Sequence, residues 1–333
     1  MTTAVRAQVV DDLLEHDEPS IRWLTRTTVL HEDDGSPACV RLRGEIRESV
    51  RVRALLDGHA ELRPDTYGKW RGAHWVLAHL TELGYPSGQA EVQPLLDEVL
   101  TAWTAPYFRR SQVLIGRSSG SVVPVVAGRH RVHASLQGSA LLSAVRLGPQ
   151  DERVVTLAGM LRRWQWDDGG WNCDRHTHAI SSSAHETWLP MRGLHAYAVD
   201  ADDETAAGAA RRAAEVLLAR RVVLRRSSDQ PGHRDWLRLR YPAYWHYGLL
   251  VGLVALDELG LLRDERCAQA LDLLEQQRLP SGWWSAQGRY YRGVGTEPGA
   301  SIDYVDWGAA DRRTPNPWVT VKALAVLAAA GRL

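Results

Sequence analysis

The chain has 333 residues, 44% hydrophobic and 24% charged, long enough to bury a large core without disulfides or a structural metal. Its 40 basic and 40 acidic side chains cancel, which argues against a nucleic-acid partner because neutralising phosphates takes a basic face. The start from Met1 to Glu15 carries acidic residues where a signal peptide has an apolar run, and no segment approaches about eighteen uncharged apolar residues, so a cytoplasmic protein without a transmembrane segment is expected.

Cys39, Cys173 and Cys267 are too few for a disulfide framework and fit a reducing compartment. Lys69 and Lys322 are the only lysines, and Arg211, Arg212, Arg220, Arg221, Arg225 and Arg226 read as a solvated helix face. Against a single phenylalanine, Phe108, stand 14 tryptophans and 10 tyrosines, large rings with polar edges that suit a cavity wall.

In chain order, two helical patterns come first, Thr3 to His16 and Ser20 to His31, with Ser20 after Pro19 as the N-cap. Charged helix-period segments then alternate with segments apolar nearly all round. The charged ones start at Val40, Ala90, Asp151, Glu204 and Asp264 and read as outer helices with one wet face. The apolar ones start at Lys69 (KWRGAHWVLAHLTELG), Val132, Ser181, Pro242 (PAYWHYGLLVGLVALDELG) and Asn316, and read as buried inner helices. The stretch SVVPVVAG from Ser121 contains Pro124 and reads as a short edge strand at most. The long segment from Arg109 to Arg129, rich in glycine and serine, is a candidate lid.

The pattern predicts an all-α chain of stacked helical hairpins, each burying its neighbour's apolar face. About five to six hairpins would close into an (α/α) toroid, a single domain over residues 1–333 in which 1–35 pack on the ring or complete it. The last segment, VKALAVLAAAGRL, is too apolar for the exposed cap of an open solenoid.

Leu161, Gln165, Gly169 and Trp171 reproduce the L-x3-Q-x3-G-x-W spacing of a known repeat, and Leu274, Arg278, Gly282 and Trp284 form a second copy with arginine for glutamine. The passage GGWNCDRHTHAISSSAHETW adds a glycine-rich loop before an inner helix. On these motifs the chain, from about Pro19 to Leu333, resembles the terpene cyclase and protein prenyltransferase superfamily, specifically the small single-toroid actinobacterial proteins labelled squalene-cyclase-like. The resemblance implies an (α/α) toroid and, loosely, isoprenoid chemistry. The motif itself reads as scaffold: the glutamine amide satisfies backbone groups at a helix end, and the glycine turn lays the tryptophan against the next helix.

Asp200-Ala201-Asp202-Asp203 spells the D-x-D-D acid motif of such cyclases, but it lies between an inner and an outer helix and reads as capping. Asp167 and Asp168 read first as turn residues, with an acid role left open.

Inner-helix starts gather the candidate chemistry. His185, His246, Tyr247, Asp174 and His74 are the candidate acid–base groups. Trp70, Trp75, His133, Trp188, Tyr241, Trp245, Trp318 and Arg240 are the candidate substrate-binding side chains, rings for a cation and a guanidinium for an anion. Prenyltransferases hold zinc with aspartate, cysteine and histidine at comparable positions; here Ser182 and Ala184 replace the D-x-C pair, which leaves His246 as the only matching ligand. A zinc set would be His246 and His185 with Cys173 from the preceding loop, Asp174 beside it being an alternative oxygen ligand, and the cofactor is zinc or none. Two functions follow from these residues. One is an enzyme that binds a mainly apolar small molecule in the toroid and carries out cyclisation, isomerisation or elimination, with a zinc-dependent transferase or hydrolase as its variant. The other is a non-catalytic toroid that binds a ligand or a protein. A homo-oligomer or a partner subunit stays open.

Overall fold

A computed structural model of the protein describes residues 3–113, 122–297, 299 and 301–333. It is an all-α protein, 55% helix and 6% strand. The α-helices run α1 (Thr3–Leu14), α2 (Pro19–Leu24), α3 (Pro37–Arg47), α4 (Val50–Leu62), α5 (Ala73–Leu83), α6 (Gln93–Trp103) and α7 (Pro106–Arg109). They continue as α8 (Ala134–Leu147), α9 (Glu152–Trp164), α10 (Ala184–Ala201), α11 (Glu204–Leu218), α12 (Leu249–Glu258), α13 (Ala268–Gln276) and α14 (Pro317–Ala329). Among the described residues, no helix is long and apolar enough to cross a membrane.

The chain divides into two compact units. The first comprises residues 1–86, 221–244 and 248–333, the second residues 87–220 and 245–247. In the first, α14 packs on α12 and on the π-helical turn Thr25–Val29 that follows α2. In the second, α8 packs lengthwise on α10, and α10 on α11. The α8–α10 contact is close because it is built on glycine: a Cβ on Gly138 would lie 2.2 Å from Pro190 N, and one on Gly193 would lie 2.5 Å from Gly138 O. Pro190 sits inside α10, where it cannot donate to the carbonyl four residues back.

The two motif copies are built alike. Trp171 donates its indole N–H to Leu161 O at 3.0 Å, and Trp284 donates to Leu274 O at 2.8 Å. Each tryptophan's backbone N–H donates to a threonine hydroxyl on the following helix, Thr187 at 3.3 Å and Thr320 at 3.0 Å. Gly169 and Gly282 both take positive φ, 98° and 89°. At Gly169 a Cβ would also meet Arg212 O at 2.2 Å. Gln165 donates to Gly169 O at 2.7 Å and Ala209 O at 2.8 Å, so it ties the turn to α11. Asp203 caps α11 by accepting from Ala206 N, and Asp202 ends α10 in the left-handed region, so D-x-D-D serves two helix ends.

Several boundaries differ from the sequence reading. The outer helix from Val40 breaks into α3 and α4 because Ser49 caps a fresh helix, its Oγ accepting from Val52 N at 3.3 Å. Glu18, not Ser20, caps α2, and it accepts from Ser20 N. The segment from Pro242 does not enter a helix until Leu249, since Pro242 lacks a donor, Tyr244 adopts φ 52° and Gly248 is fully extended. Val123–Val126, with Pro124, is the middle strand rather than an edge strand of the small sheet β1 (Ser111–Val113), β2 (Val123–Val126), β3 (Arg129–His130). Pro124 is tolerated there because its carbonyl makes the contact, accepting from Arg131 N at 2.9 Å. Residues 114–121 of the expected lid lie outside the described residues.

Candidate functional site

In the first unit, the turn from Tyr67 to Gly72 delivers Trp70 to the core ahead of α5. Gly72 is required there, since a Cβ would lie 2.4 Å from Thr66 O. Trp70 takes φ 69° and stacks on Tyr244 at 3.8 Å between ring centroids. Trp75 meets both edge-on, at 4.8 and 5.7 Å. Beyond Tyr244 the aromatic cluster continues through His79 and Trp307 to Tyr241 and Trp318, the last two stacked parallel at 5.1 Å.

A carboxylate sits within this cluster. Asp303 has 0% exposure, and its Oδ2 accepts from Trp307 Nε1 at 3.0 Å and from the Tyr244 hydroxyl. Its Oδ1 accepts from Val305 N at 3.2 Å, and His79 Nε2 stands 3.5 Å from Oδ2, an electrostatic contact rather than a well-formed hydrogen bond. Burial pushes the Asp303 carboxyl up, but the electrostatic pull of the nearby His79 ring and the hydrogen bonds from Tyr244 and Trp307 outweigh it and hold the group below the usual range. Tyr244 goes the other way: burial, then the Asp303 carboxylate, raise its phenol well above the ordinary value, so it stays a donor.

In the second unit, His133 immediately precedes α8 and Glu186 lies in the first turn of α10. His133 Nδ1 stands 3.2 Å from Glu186 Oε1, while Glu186 Oε2 accepts from Ser135 N at 2.9 Å. Asn172 O accepts from Val132 N at 3.3 Å, which ties together the two irregular segments that carry Cys173 and His133. One ligand atom from each of His133, Cys173 and Glu186 lies within 4.8 Å of the others. Glu186 is buried, Cys173 half-buried, and the His133 side chain 71% exposed. The hydrogen bond to Glu186 raises His133, whereas burial and Glu186 push the Cys173 thiol up to about 12. Burial raises Glu186, but the bonds from His133 and Ser135 more than offset it and leave it below its ordinary value.

The structure thus places Cys173 with His133 and Glu186, not with His185 and His246. Those two histidines pack against rings: His185 lies 5.8 Å from Trp245 and 6.4 Å from Tyr247, and His246 stacks on Trp245 at 3.9 Å. Trp188 donates to Trp245 O at 3.2 Å. Asp174 belongs to a turn, accepting from His176 N at 2.9 Å. Asp168 accepts from Ser182 N at 2.8 Å and so fixes the entry to α10. In the first unit, His74 is buried and held neutral by desolvation, its pKa lowered to about 3. Arg240 donates to Tyr290 Oη at 2.8 Å and to Asp235 Oδ1 at 3.3 Å.

Sequence reasoning missed Asp303, His79 and Trp307. The signal available was an acidic pair, Asp303 and Asp306, beside tryptophan in the long segment before α14. In the second unit a concavity of about 470 Å³ opens beside Tyr197, Asp200 and Asp151, at the C-terminal ends of α8 and α10 rather than at their starts.

No family model matches the chain, and no curated protein or solved structure matches it.

Proposed function

We propose that the chain is an enzyme acting on a mainly apolar small molecule of isoprenoid character, with Asp303 as its proton acceptor. The observation that carries this reading is a fully buried carboxylate held below its usual pKa range inside a cluster of large aromatic rings. Leaving a charge in an apolar core is costly unless it is closely paired, and here three donors and a histidine hold it. Trp70 and Tyr244, which stack beside it, both hold left-handed backbone, a strain that collects at functional sites.

Ring faces stabilise a cationic carbon through their quadrupoles. A carboxylate beside such a carbon takes the proton from the neighbouring C–H, whose electron pair becomes the new double bond. That is the closing step of an elimination or isomerisation, and it also ends a cyclisation. The Tyr244 phenol keeps Oδ2 oriented throughout. The toroid of five to six hairpins, with substrate in its central cavity, is part of this proposal and rests on the motif resemblance.

The test is incubation of the full chain with isoprenoid hydrocarbons, alcohols and diphosphates, with products read by gas chromatography and mass spectrometry. Turnover by the wild type, cut about 10²–10⁴-fold in a folded Asp303→Asn variant, is the expected result. Equal turnover in that variant removes Asp303 from the chemistry, and binding without any product points to a ligand-binding toroid instead.

A further inference from the structure

We propose that His133, Cys173 and Glu186 form a zinc site in the second unit, with three protein ligands and a fourth position open to water or a substrate oxygen. This goes beyond the Asp303 reading and does not depend on it, because the residues belong to the other unit.

The donor set suits zinc. Thiolate, imidazole and carboxylate are its three common protein ligands, and a set of three with an open position is the arrangement of catalytic rather than structural zinc. A thiolate and a carboxylate also balance the ion's two charges.

Spacing agrees with the chemistry. With bonds of about 2.0–2.1 Å to nitrogen and oxygen, tetrahedral geometry puts those two ligand atoms about 3.3 Å apart, and a zinc–sulfur bond of about 2.3 Å puts sulfur about 3.6 Å from either. His133 Nδ1 and Glu186 Oε1 already lie 3.2 Å apart, and all three ligand atoms fall within 4.8 Å of one another. Closing around an ion therefore asks for side-chain adjustment, not backbone movement.

The surroundings hold the ligands in place. Glu186 Oε2 is committed to Ser135 N at the start of α8, which leaves Oε1 turned to His133. Such outer contacts orient a ligating carboxylate. The bond from Val132 N to Asn172 O fixes the backbone beside His133 and Cys173, and Asn172 is itself tied down by its Nδ2 donating to Ser181 O at 2.9 Å. Exposure of the His133 side chain makes the cluster reachable from solvent.

The experiment uses untagged full-length protein purified without chelators. Zinc is measured by elemental mass spectrometry, then removed and replaced by Co²⁺, whose near-ultraviolet charge-transfer band reports a thiolate ligand. About one equivalent of zinc per chain and a thiolate–Co²⁺ band are expected. Both should be lost in Cys173→Ser and His133→Ala and kept in His185→Ala and His246→Ala. Because Glu186 is buried, Glu186→Gln is judged only if its circular dichroism is unchanged, and the half-buried Cys173→Ser decides the matter alone. Zinc content well below one equivalent with no saturable uptake, a Co²⁺ spectrum without the thiolate band, or retention of metal by folded Cys173→Ser would each overturn the site.

Discussion

Trp70 and Tyr244 lie face to face at 3.8 Å, 174 residues apart in sequence (244 − 70), each with a positive φ, 69° and 52°. Tyr244 contributes the hydroxyl that donates to Asp303 Oδ2. Replacing Tyr244 by phenylalanine keeps the ring and removes that donor. The buried carboxylate then loses a partner, and a loss of about 1–3 kcal/mol is expected in urea unfolding, with the Asp303 pKa rising. An unchanged midpoint would show that the hydroxyl contributes nothing to the charge.

Gly138 and Gly159 make opposite predictions on neighbouring helices. Alanine at Gly138 puts a methyl 2.2 Å from Pro190 N, so α8 and α10 must separate, at a cost of roughly 3 kcal/mol or more. Alanine at Gly159 meets nothing within 4 Å on α9 and gains helix propensity, about 0.5–1 kcal/mol of stability. Thermal melts of the two variants side by side decide this.

Gln165→Leu is expected to cost about 1–3 kcal/mol, because it strips donors from Gly169 O and Ala209 O and the acceptor of Arg212 together. Arg278, which replaces glutamine in the second copy, instead lies over the Trp284 ring at 5.1 Å. Arg278→Leu should therefore be the milder change in the same melt.

Stability is expected to fall on the acid side. His74 stays neutral in the fold down to about pH 3 but takes a proton in the unfolded chain near 6.5, so unfolding gains a proton across that window. The slope from this one group is at most about 1.4 kcal/mol per pH unit. Asp303 and Glu186, both depressed in the fold, stabilise it above their unfolded values of 3.8 and 4.5 and lose that contribution as pH falls through their folded values. His133 is raised, so its contribution is full below 6.5 and disappears as pH rises through its folded value. Urea titrations at pH 7 and pH 5 should show the drop, and a His74→Phe variant that folds should flatten it. A variant with the same pH slope as wild type would sink the His74 account.

Helices were legible because burial leaves a period. The apolar runs from Lys69, Val132, Ser181 and Asn316 became α5, α8, α10 and α14, and the glycine after the first of these, Gly84, ends α5 in the left-handed region. The repeat was legible too, since Leu161, Gln165, Gly169 and Trp171 have a fixed spacing that one local turn explains. The Pro242 segment misled because its apolar periodicity begins before the backbone turns helical, and Tyr244 and Gly248 hold the first seven residues out of the helix.

By itself the sequence determined most of the helical segments and the indole-to-carbonyl bonds of the two tryptophan turns, because each depends on residues within about a dozen positions of one another. Only the tertiary structure decided the sites. Asp303 meets His79 across 224 residues (303 − 79), and Glu186 meets His133 across 53. No local spacing encodes such a pairing. It follows from how closely α8 can approach α10 over Gly138, and from the path of the long segment before α14 that brings Asp303 under Tyr244 and Trp307.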